Sequence, residues 1–116
     1  MNGNIGSIDT TPSSVIATAH PPVVQAMEAL EDNGILAEGL VLAKDAAGKL
    51  VAYNPAGSGT LLVPVAVNVI EVDTAEQTTV NALRHGTVNF DKLLVGSAAP
   101  DADDIALLEA IGIFAV

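Results

Sequence analysis

Residues 61–74 read LLVPVAVNVIEVDT, and the alternation inside this run decides the class of fold. Val63, Val65, Val67 and Val69 fall on one face at a spacing of two, with Ala66 and Asn68 on the other, which is the period of a strand. Leu61 to Asp73 is therefore expected as the main strand. Pro64 cannot donate to a sheet ladder, so this stretch belongs at an edge or a bulge. Upstream, DAAGK at 45–49 and NPAGSG at 54–59 are turn clusters. They bracket an extended Leu50–Tyr53, with an earlier extended segment over Ile35–Leu42. Downstream, the polar loop Thr74–Thr79 leads to a second long strand, Val80–Phe90. Leu83 sits at an odd position in it and Val88 and Phe90 at even ones, a slip that a bulge or a sharp bend at Gly86 accounts for.

Helical spacing occurs on either side of this β region. Val23, Met27 and Leu30 recur at helical intervals, with Glu28, Glu31 and Asp32 on other faces. Pro22 suits a first turn and Gly34 a stop, which predicts a short helix over 22–32. Near the end, Asp101, Asp103 and Asp104 favour the positive end of a helix dipole. Ile105, Leu108 and Ile111 form its buried stripe, Gly112 ends it, and Ile113–Val116 is a short terminal strand. The expected fold is α+β and β-rich: one small mixed domain over 17–116, with short strands, one short N-terminal helix and one C-terminal helix.

A flexible N-terminal arm, residues 1–16, is expected to precede the domain. MNGNIGSIDTTPSS is rich in Gly, Ser, Thr and Asn and cannot bury enough surface to offset its own ordering entropy. Ile5 and Ile8, followed by Val15 and Ile16, are apolar points that an inert tail does not need. Composition alone leaves an arm that orders on a partner and a plain chain end both open.

Half the residues are apolar, yet Tyr53, Phe90 and Phe114 are the only aromatics and there is no Trp. Small side chains each remove little area from water, at about 25 cal/mol per Å². Burial between subunits is the expected remedy. Lys44, Lys49, Arg84 and Lys92 face fourteen carboxylates, for a net charge of −10. Four scattered cations cannot form a phosphate-neutralising patch, so nucleic acid and anionic membrane surfaces are not expected partners. The longest apolar run, Leu61–Val67, is far short of the ~20 residues that span a bilayer. No basic residue precedes Lys44, so no secretory signal is read at the N-terminus. A soluble protein is expected. With no cysteine, disulfides and thiolate metal sites are excluded.

The ingredients of catalysis are missing. His20 precedes two prolines, His85 lies beside Arg84, and no G-x-S-x-G elbow supplies a nucleophile. No H-x-x-x-H or EF-hand spacing marks a metal, and NPAGSG lacks the Lys and Ser/Thr of a phosphate loop. Glu28, Glu31 and Asp32 read as an exposed helix face, and the three aspartates at 101–104 as solvated capping groups. No enzyme activity, cofactor or metal is expected. One local alternative is Asp91-Lys92, a pair that lipoyl and biotinyl carrier domains present on a hairpin tip with the lysine modified. A generic oligomeric adaptor is a further alternative.

Taken in order, GILAEGLVLAKDAAGKLVAYNPAGSGT, LLVPVAVNVIEVDT, RHGTVNFDKLLVG and DDIALLEAIGIFAV resemble the head decoration proteins of tailed phages, the family that includes the lambda decoration protein. The most distinctive pieces are HGTVNFDKLLVG and the helix-Gly-Ile-aromatic ending at Ile111–Phe114. The likeness covers residues 34–116, and a helix at 22–32 departs from it. This resemblance implies a β-rich homotrimer on the outer surface of the expanded capsid, at three-fold and quasi-three-fold positions. It implies the major capsid protein as partner and an arm that adds to a strand edge of the shell. Carried onto this chain, the anchors are Ile5, Ile8, Val15 and Ile16.

Overall fold

The computed structural model describes residues 16–17 and 22–116. Its strands are β1 (Ile16–Ala17), β2 (Val23–Glu28), β3 (Ile35–Leu36), β4 (Val41–Lys44), β5 (Leu50–Ala52), β6 (Ala66–Asn68), β7 (Val72–Asp73), β8 (Thr79–Val88) and β9 (Ile113–Ala115). One α-helix, α1 (Ala102–Ala110), precedes β9, and short 3-10 turns cover Gly59–Leu62 and Phe90–Lys92. This is the β-rich α+β domain that the alternation predicts.

The sheet runs β9–β8–β6–β4–β5, with β1 and β2 also paired to β8 and the small pair β3–β7 beside it. Every pairing in the main sheet is antiparallel except β8 with β9. Directly after β2, Ala29 bridges Leu50 of β5, and the Leu30 amide donates to the Leu50 carbonyl at 3.1 Å. The ring β2–β8–β6–β4–β5 thereby closes into a small barrel. Leu42, Leu50, Ala66, Val80 and Ala82 fill its inside. The alternate residues Val41, Ala43, Val67, Val69 and Leu83 pack outward against Leu108 of α1 and Ile113 of β9. A sheet buried on both faces reads as a continuous apolar run, which explains why half of a chain with so few bulky residues is apolar.

The bulge falls at Arg84, two residues before the expected Gly86. Val23 pairs with His85 and Val24 with Leu83, so Arg84 is skipped in the register. Gly86 adopts φ +140°, and a Cβ there would lie 3.1 Å from Cα of Pro22. The slip returns the strand to phase: odd Leu83 and even Val88 share the same core cluster. Both predicted turns form. Asp45 Oδ1 accepts from the amides of Ala47 and Lys49, each at 2.9 Å, in the β4–β5 hairpin. Asn54 Oδ1 accepts from the Ala56 amide at 3.0 Å.

Two expectations are corrected. Residues 22–32 are not helical: Val23–Glu28 is β2, paired with β8 from Thr79 to His85. Adjacent β-branched Val23 and Val24 suit a strand, and β8 offers a long partner edge that no local pattern reveals. The run 61–73 is not one strand. It opens as the 3-10 turn at Gly59–Leu62, passes Pro64, and pairs only over β6 and β7. Pro64 removes a donor, and Asn68 is drawn into the interior, where its Nδ2 donates to the carbonyls of Leu36 (2.8 Å) and Ala37 (2.9 Å).

Candidate functional surface

The residues singled out for chemistry do not come together. His20 lies outside the described residues. His85 is exposed, and its ring lies against Gly112, so that a Cβ on Gly112 would fall within the imidazole. Lys92 ends the 3-10 turn Phe90–Lys92 after β8, and does not occupy a hairpin tip as a carrier lysine does. Among the described residues, no three His, Asp or Glu side chains are grouped to hold a metal ion.

The helix start carries more structure than its sequence discloses. Asp101 is the N-cap: its Oδ1 accepts from the Asp104 amide at 2.9 Å, and its own amide donates to Asp104 Oδ2 at 3.0 Å. This reciprocal box satisfies two amides that would otherwise lack partners. Asp104, expected to be solvated, is instead buried and accepts from the Tyr53 hydroxyl at 2.7 Å. Burial, reinforced by that hydrogen bond and by the charges of Asp104, Asp101 and Asp103, pushes the Tyr53 hydroxyl from 10.0 up to about 12. The pair ties α1 to the strand side of the core. Its role is structural, and no sequence signal joins residues 51 apart.

The features that can serve binding lie on the surface. Ile16, the last residue of the expected arm, pairs with Val88 at the end of β8. On the opposite edge of β8, Ala115 pairs with the same Val88, and the Val116 amide donates to the Val88 carbonyl at 2.9 Å. The root of the N-terminal segment and the C-terminal strand therefore flank one residue at one end of the sheet. Ile5, Ile8 and Val15 lie outside the described residues. Large apolar side chains are exposed nearby, with Phe90 at 42% and Val116 at 68%, and on β2, with Val23 at 53% and Val24 at 44%. These exposed apolar side chains are the positions on which a contact surface can be built.

Comparison with known proteins places these surface features in a family. The family described as Bacteriophage lambda head decoration protein D matches residues 13–113, nearly the whole chain. No curated protein matches. The matched span takes in the bulge at Arg84, the His85–Gly112 packing, α1 and the first residue of β9, the parts in which His-Gly and helix-Gly-Ile stand out in the sequence. The chain belongs to the phage head decoration protein family, structural components of the virion capsid.

Proposed function

We propose that the protein binds the outer surface of the expanded phage capsid as a homotrimer, at three-fold and quasi-three-fold positions, and clamps adjacent capsomers against the pressure of packed DNA. The observation that carries this reading is the family match over residues 13–113. A ligand that binds only the expanded shell stabilises that state by mass action, and many copies make a modest single-site affinity sufficient.

Residues 1–16 are the arm in this reading, with Ile5, Ile8, Val15 and Ile16 as anchors on the major capsid protein. The pairing of Ile16 with Val88 supports it, since a chain already extended at its root continues naturally as an added strand on a partner's sheet edge. The exposed valines of β2 and the thin core support burial between subunits. Nucleic acid and membrane have no part, consistent with the net charge of −10. No helix among the described residues is long and apolar enough to cross a membrane.

Deleting residues 2–14 tests the reading. The expected product is a folded oligomer that no longer decorates expanded shells. Full occupancy by the truncated protein would show the arm model to be wrong.

A further inference from the structure

A groove runs between α1, the 3-10 turn after β8 and the C-terminal strand. Its floor is apolar: Phe90, Ile105, Ala106, Ala115 and Val116. Its rim is acidic, formed by Asp91, Asp101 and Glu109. Glu109 occupies the last turn of α1, where the helix dipole is negative, and no basic residue shares that turn. A carboxylate placed there gains from a cation supplied by a partner. One wall is β9, which pairs with β8 on one side only; among the described residues no strand pairs with its other edge.

From this arrangement we infer that the groove receives an extended segment of the capsid subunit that carries apolar side chains and at least one Lys or Arg. The inference rests on the capsid-binding reading above and adds a second contact to the arm. Charge complementarity selects the occupant. Residues 1–15 contain no Lys or Arg, so the chain's own arm cannot answer the rim. A second copy could answer it only through Lys44 and Lys49, a case that particle mass separates. Lys44 and Lys49 sit at the β4–β5 hairpin, Arg84 is bonded to Gln25 at 3.1 Å, and Lys92 adjoins the groove itself. Position agrees: Ile16 and Ala115 both pair with Val88, so the arm root and the groove wall stand two strand spacings apart, roughly 10 Å. Arm and groove can engage one capsid subunit at once.

The test uses the full chain and expanded shells assembled from the major capsid protein of the same phage. Asp91→Lys with Glu109→Lys reverses two exposed rim charges, and Ala106→Tyr fills the floor from an exposed position. Both variants should keep the thermal transition and particle mass of the parent and bind shells at least about tenfold more weakly. Binding of the parent should fall with salt, and that of the charge-reversed variant should lose most of this dependence. Parental occupancy by both variants overturns this inference alone; if deletion of residues 2–14 still abolishes binding, the capsid-binding reading survives. A change in particle mass assigns the groove to contacts between copies and overturns it. So does protection of groove amides in the free chain that vanishes on deleting residues 2–14. Failure of the unmodified chain to bind shells overturns the functional reading and this inference with it.

Discussion

At the scale of single residues, Tyr53 and Asp104 form a buried hydrogen-bonded pair at the edge of a largely aliphatic core. Replacing Tyr53 by Phe removes one hydrogen bond to a buried carboxylate, and should cost about 1.5–3 kcal/mol in urea unfolding. Asp104→Ala should cost more, since it also opens the capping box, worth about 1 kcal/mol by itself. The pH dependence follows from the raised Tyr53 pKa. The folded value, about 12, lies above the unfolded 10.0, so the contribution is fully present below pH 10 and is lost as pH rises through 12. The parent should lose stability across that window, and Tyr53→Phe should remove that part of the slope. Gly112 makes a second case, at φ +90° with His85 against it. Gly112→Ala should destabilise by about 1–3 kcal/mol, and His85→Ala should recover only the steric share, as a double-mutant cycle will show. The cap at Asp101 was legible because its partner lies three residues away. The burial of Asp104 was not, because it depends on a tyrosine on another element.

At the scale of elements, the same division holds. Helix α1 and an irregularity in β8 are announced locally, by acids before an apolar stripe and by a parity slip, although the bulge falls at Arg84 and not at Gly86. Strand β2 is not. Val23, Met27 and Leu30 fit a helix as well as a strand, and every residue of β2 except Met27 is exposed, so no buried face writes its period into the sequence. What decides β2 is pairing with β8, more than fifty residues away. The run 61–73 misleads for the opposite reason. The short strand is buried on both faces, but Leu62, Val63 and Ile70 beside it are apolar and exposed, so the apolar run extends past the paired residues. These views predict different costs along the sheet. Leu83→Ala, in the fully buried centre of β8, should cost about 2–5 kcal/mol. Val24→Thr on exposed β2 should stay within about 0.5 kcal/mol in the monomeric unit. A large effect of Val24→Thr on particle mass without loss of fold would place β2 in the contact between copies.

At the scale of the whole molecule, function is written on the outside. A barrel closed by Ala29 and Leu50 supplies a rigid body, and the end of β8 gathers the arm root, the C-terminal strand and an acid-rimmed groove. The order of motifs in the sequence points to the family. The groove was not visible in sequence, because its walls come from three segments that meet only in the fold. Light scattering should give a particle of three times the chain mass, the stoichiometry that the proposed positions require. The most direct measurement is occupancy, by cryo-electron microscopy, of the full chain added to shells that lack it, before and after expansion. The account predicts three copies at each three-fold and quasi-three-fold position of expanded shells and none on unexpanded ones. Empty expanded shells, or equal decoration of both forms, would contradict it.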